Sequence, residues 1–172
     1  MTLLEVDVVN AVRSGVRPAF VRGVLRRAAV VPEIAARLPE GQATIAVRIT
    51  DDEEMRSLNR RYAGDDHATD VLSFEGSGAH VGDIAVSWPR VVEQAEQWDH
   101  SAKDELSVLL VHGLLHLLGW DHSTPAETEE MWRLTYIALG VSAGGRRREI
   151  RRSRRPRSGR KGEQRSERTG DA

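Results

Sequence analysis

Cysteine is absent from the 172 residues. Disulfides and thiolate-held metals are therefore excluded, and any metal must be bound by His, Asp or Glu. Long apolar runs are missing as well: no stretch approaches the roughly 18 residues that a membrane-spanning helix needs. The opening residues carry Glu5 and Asp7 where a secretory signal would be basic. There is no internal repeat. These absences give the expectation of a soluble, cytoplasmic chain with no membrane partner.

Net charge is nearly absent too, at −1, but the balance is uneven along the chain. Residues 146–172 hold 12 of the 25 Lys and Arg but only 4 of the 26 Asp and Glu. An acidic body is thus followed by a basic segment with almost no apolar residues beyond Ile150, which cannot bury a core and is expected to be disordered. Arginine runs such as Arg146-Arg147-Arg148 attract phosphates without sequence preference and in a salt-dependent way. Residues 1–145, within a chain that is 40% hydrophobic, are long enough for one domain with a packed interior.

Periodicity supplies the elements. Leu3 to Val9 alternates loosely, and Ala43 to Thr50 alternates strictly and is rich in β-branched residues; both read as strands. Thr69 to Phe74 and Val81 to Trp88 read as two more, joined by a loop bearing Gly76 and Gly78. Pro18 opens a helix whose apolar residues include Phe20, Val21, Val24 and Leu25. Asp51 or Asp52 caps another that runs to about Tyr62, with Met55 and Leu58 on its buried side. Pro89 begins a helix through about Gln97, and Pro125 one through about Leu139. Between them Ser101 to Leu118 is apolar on nearly every face, the pattern of a central, buried helix. Strands and helices in this order predict an α+β fold, an α/β sandwich in which helices cover a small mixed sheet.

That central helix ends in His112-Gly113-Leu114-Leu115-His116-Leu117-Leu118-Gly119-Trp120-Asp121-His122. Histidines four apart share a helix face, so both imidazoles can reach one ion. Gly119 permits a sharp turn that can return His122 as a third ligand. A single histidine on an apolar face is usually a core residue with a hydrogen-bond partner. Two on the most apolar helix of the chain would each cost roughly 2–7 kcal/mol if left unsatisfied, and one metal satisfies both. Three imidazoles with an open fourth position are the pattern of catalytic zinc, which places a metal site at the end of the central helix. Zinc peptidases carry Glu after the first histidine as the general base; this chain has Gly113 there, which argues against a protease unless Glu75 or Asp83 supplies the base. A glycine inside a helix, at a cost of roughly 1 kcal/mol relative to Ala, implies that something approaches closely at that turn, the substrate backbone being one candidate.

The segment 112–122 resembles the signature of the YbeY family of bacterial metal-dependent endoribonucleases. Further stretches match in order: Leu58-Asn59 with Tyr62, Ala68-Thr69-Asp70-Val71-Leu72-Ser73-Phe74, Gly82-Asp83-Ile84, Glu127 with Glu129-Glu130-Met131, and Leu139-Gly140. The similarity spans residues 43–140. It implies a single α/β domain with one Zn2+ held by His112, His116 and His122. It also implies cleavage of single-stranded RNA, a part in 16S ribosomal RNA 3′-end maturation and ribosome quality control, and RNA and the ribosome as partners. Many members carry an RNA-contacting arginine after the residue matching Tyr62, whereas this chain has Ala63 there.

The remaining candidates follow from residue type. Asp83 and Asp121 are the catalytic candidates: Asp83 is read as a base, as a carboxylate that holds a histidine, or simply as a turn carboxylate, and Asp121 as holding either an imidazole or a turn. Asp70 is read as capping local backbone or touching substrate, Ser73 as structural or a polar group facing the cleft, and Trp120 as packing or a base-stacking ring. Arg56, Arg60 and Arg61 are candidates for RNA contact on a helix face that is otherwise simply solvated. Besides the zinc endoribonuclease, two other readings stand: a metallopeptidase-like hydrolase, and a non-catalytic ribosome-assembly factor with structural zinc.

Overall fold

The computed structural model describes residues 1–64, 66–67 and 69–141. They form four strands and six helices in the order β1 (Leu3–Asn10), α1 (Pro18–Ala29), α2 (Pro32–Ala35), β2 (Gln42–Thr50), α3 (Asp52–Ala63), β3 (Val71–Ser77), β4 (His80–Ser87), α4 (Trp88–Gln97), α5 (Ala102–Leu117) and α6 (Pro125–Ala138). The basic segment 146–172 lies outside the described residues. No helix among them is long and apolar enough to cross a membrane.

The sheet order is β1-β2-β4-β3. β1 pairs parallel with β2 and β2 parallel with β4, while β3 closes the edge antiparallel to β4. This is the mixed sheet expected of the α+β class. Strand alternation selects the buried face: Ala43, Ile45, Val47 and Ile49 of β2 are at most 1% exposed, and Arg48 between them faces out. Helices α1 and α5 pack across the buried face, with α4 and α6 against α5. Ten of the sixteen residues of α5 are buried, as its all-round apolar pattern requires.

Some local expectations hold and others shift. Asp51 is the N-cap of α3, its side chain accepting from Glu54 N. On that helix the buried pair is Met55 and Asn59, four apart, and Leu58 is only half-buried; the Asn59 amide donates to the His67 carbonyl at 3.0 Å. Gly76 lies within β3 instead of in the connecting loop, where a β-carbon would stand 2.1 Å from the His80 carbonyl oxygen, so the hairpin closes at Gly78. Trp88 starts α4 because Ser87 caps it, its hydroxyl accepting from Arg90 N.

Candidate metal centre

Helix α5 is framed by two caps. Ser101 accepts from Asp104 N at its start, and Asp104 and Glu105 in the first turn oppose the positive end of the helix dipole. At its end, Gly119 N donates to the His116 carbonyl at 3.0 Å and Trp120 N to the Leu115 carbonyl at 3.0 Å. This is a Schellman motif, and its left-handed residue is Gly119 at φ +90°. The backbone then reverses toward the helix face that carries the other two histidines.

His122 is held from both sides. Its N–H donates to Asp121 Oδ1 at 2.7 Å, and its carbonyl accepts from the Thr128 hydroxyl at 3.2 Å. The second Asp121 oxygen accepts from Ser123 at 2.6 Å. These bonds, the Ser123 one first, keep the Asp121 carboxyl below its usual range, so Asp121 is an ionised turn-former, with its oxygens directed at backbone and hydroxyl. Helix α6 is fixed in turn by a capping box between Thr124 and Glu127.

The three imidazoles line one cleft of about 700 Å³ between α5, α6 and the edge strand β3. Ring centres are 6.4 Å apart for His112 and His116, and 5.0 Å for His116 and His122. Two imidazoles sharing a tetrahedral zinc at 2.0–2.1 Å from each nitrogen have ring centres roughly 5 Å apart. The second pair meets that spacing and the first stands wider. Among the described residues no three ligand-type side chains already converge on one point. The donor chemistry fits a zinc ion: burial, then repulsion from His122, holds the His116 pKa below that of an ordinary histidine, which keeps it in the neutral form that binds metal.

Gly113 answers a different need from the one its position suggested. A β-carbon there would stand 2.9–3.1 Å from three atoms of the Ile84 side chain. The close approach is therefore made by β4, with Ile84 occupying the space expected for substrate. The Gly113 carbonyl accepts from the Ser73 hydroxyl at 3.3 Å, which ties β3 to α5 at the cleft floor.

Ile84 also decides the fate of Asp83. Successive strand residues face opposite sides, so with Ile84 against α5, Asp83 faces away from the histidines. It pairs with His80 at 3.2 Å and lines a second recess of about 540 Å³ beside Arg48, Tyr62 and Phe74. The arginine candidates are likewise not brought to the cleft: Arg56 is ion-paired with Asp66 at 2.8 Å, Arg61 lies 5.8 Å from the Tyr62 ring centre, and Arg60 is exposed on the same helix. Asp70 does line the cleft, but its oxygens accept from Val71 N at 2.8 Å and from the Gln94 amide at 3.1 Å.

Sequence reasoning did not single out Thr128 or Trp132, both on the cleft wall. They are four apart on α6, in its first and middle turns, so one helix face carries both. That shared face was readable; which neighbour it meets was not.

A family model described as endoribonuclease YbeY matches residues 19–139. An endoribonuclease YbeY from Chloroflexus aurantiacus is 43% identical over 121 residues, covering 63% of this chain and 78% of that protein. One from Roseiflexus castenholzii is 39% identical over 135 residues, covering 72% and 85%. One from a Chelativorans species is 42% identical over 136 residues, covering 72% and 82%. The solution structure of a Thermotoga maritima protein, 20% identical, superposes with a TM-score of 0.55 over 90% of this chain and 99% of that one, a likeness of fold alone.

Proposed function

This chain belongs to the YbeY family of endoribonucleases, and from that premise we propose that it is a zinc-dependent endoribonuclease specific for single-stranded RNA, acting in 16S ribosomal RNA 3′-end maturation and ribosome quality control in the cytoplasm. His112, His116 and His122 would hold the ion. The observation that carries this is the presence of all three imidazoles on one cleft, with the middle one kept neutral by burial. When bound, zinc supplies Lewis acidity toward a phosphodiester and lowers the pKa of water toward about 7.

The protein's own part is to place and orient. The Schellman turn at Gly119 and the two bonds to the His122 backbone present the third imidazole, and the Trp132 ring, 4.8 Å from that of His112, walls the first. RNA carries its own nucleophile in the 2′-hydroxyl, so the lack of a carboxylate at position 113 does not disable phosphodiester cleavage as it would peptide hydrolysis.

The test is metal analysis and cleavage of a single-stranded RNA oligomer by the full chain, His116→Ala and chelated protein. The native chain should carry about one zinc and cut the RNA, the variant should lose both, and zinc should restore the chelated sample. Undiminished cleavage without metal would overturn the proposal.

A further inference from the structure

We propose that Trp132 is a stacking platform that takes one unpaired nucleobase of the RNA substrate beside the metal centre. This inference rests on the ribonuclease reading above and adds a base subsite to it. The indole is half-buried and lines the histidine cleft. Its ring centre is 4.8 Å from that of His112 at an interplanar angle of 59°, and 5.7 Å from that of Tyr136 at 27°. Tyr136 is 4% exposed, so a buried, nearly parallel ring backs the indole and sets its plane before any ligand arrives. An aromatic surface fixed in advance binds with little ordering cost.

The rest of the cleft favours a base over a phosphate as the ligand gripped at this wall. Its charged lining consists of Asp70 and Glu75, its apolar lining includes Val71, Leu72 and Leu109, and no Lys or Arg lines it among the described residues. A polyanionic backbone therefore finds no protein cation inside the cleft, whereas a nucleobase meets the half-buried indole on the cleft wall. Stacking of this kind is sequence-tolerant because every base has a π-face. It also discriminates by pairing state: a base within a duplex must first leave its neighbours, while one in a single strand is available. Adjacency to His112 places the stacked base next to the bond to be cut. Trp120, the other tryptophan near the site, does not serve: the Arg37 guanidinium covers its ring at 3.6 Å.

The experiment scans a single abasic nucleotide along a single-stranded RNA oligomer and measures kcat/KM for the zinc-loaded full chain, Trp132→Ala and Trp132→Phe. The native protein should lose roughly 5- to 150-fold at one fixed position relative to the cleaved bond. Trp132→Ala should show a loss of that size on the intact oligomer and then be indifferent to the abasic nucleotide, and Trp132→Phe should keep most of both the activity and the position effect. If the alanine variant fails to fold, Trp132→Leu, which keeps apolar bulk without a π-face, gives the same comparison. A purely structural Trp132 would lower activity yet leave the abasic sensitivity intact, which overturns the platform. Native protein that cuts RNA with no abasic-sensitive position overturns it too and leaves the ribonuclease reading standing. A chain that cuts no RNA at all removes both together.

Discussion

The guanidinium carbon of Arg37 lies 3.6 Å from the centre of the Trp120 ring, and Nη1 of the same arginine donates to the Leu118 carbonyl at 3.2 Å. One exposed side chain from the segment after α2 thus grips two residues of the turn that carries the chain from His116 to His122. Trp120 acts here as a packing surface, with its face already used.

Arg37→Ala should cost about 1–2.5 kcal/mol of stability, the sum expected for an exposed cation–π contact and one hydrogen bond. It should also weaken zinc binding roughly tenfold, because the turn that presents His122 loses its clamp. Arg37→Lys, lacking the planar group that stacks, should resemble the alanine variant. Thermal unfolding and competition with a chromophoric chelator measure the two effects, and unchanged zinc affinity in Arg37→Ala would show that the turn holds without the clamp.

Asp121→Ala and Thr128→Val each remove one of the two bonds to the His122 backbone. Residues that orient a ligand typically contribute 10- to 100-fold to metal affinity. Each single change should fall near the lower end of that range, and the pair together should lose more than either. If the double variant binds zinc like the native chain, His122 is either positioned by other contacts or is no ligand.

Gly113→Ala sets two effects against each other. The helix gains roughly 1 kcal/mol from alanine, while the methyl must displace Ile84, and overpacking of this kind costs about 1–3 kcal/mol. The overlap should win, leaving a net loss that Ile84→Val relieves in the double variant. Chemical denaturation reads the sign directly, and a stabilised Gly113→Ala would mean that β4 yields at no cost.

Arg133 joins Glu33 to Glu130, tying α2 to α6. Glu33 is held below its ordinary value of 4.5 first by its own backbone hydrogen bond and then by Arg133; Glu130 is held below the same value first by the bond from Arg133. Carboxyls depressed in the folded state contribute stability that is present above pH 4.5 and lost as pH falls through their folded values. The Tm gap between the native chain and Arg133→Met should therefore be full at neutral pH and close on acidification below 4.5. It should also shrink with salt, since these groups are largely exposed. A gap that is independent of pH would assign it to packing alone.

Deleting 146–172 should weaken RNA binding and flatten its dependence on salt, because the 12 Lys and Arg of that segment carry phosphate attraction that the cleft lining does not supply. Titrations at several salt concentrations give the slope. An unchanged slope would confine RNA contact to residues 1–145.

The elements were legible because their signals are local. Ser101, Thr124 with Glu127, and Gly119 act within a few residues of where they stand, and the caps and the Schellman turn follow from that. The four-residue spacing of His112 and His116 likewise depends only on helix geometry. Boundaries slipped where tertiary packing overrode propensity, as at Gly76, drawn into β3 by its partner strand.

Sequence by itself determined which residues share a face: the histidine pair on α5, Thr128 with Trp132 on α6, and Ile84 opposite in parity to Asp83. The tertiary structure alone decided what each face meets. It set Ile84 against Gly113 and so turned Asp83 toward another recess, laid Arg37 over a tryptophan 83 positions later, and stood Trp132 beside His112. The physical reason is that periodicity comes from the geometry of one backbone segment, whereas contact depends on how separate segments stack. That arrangement is fixed by the burial of many side chains at once and is written in no single stretch of the chain.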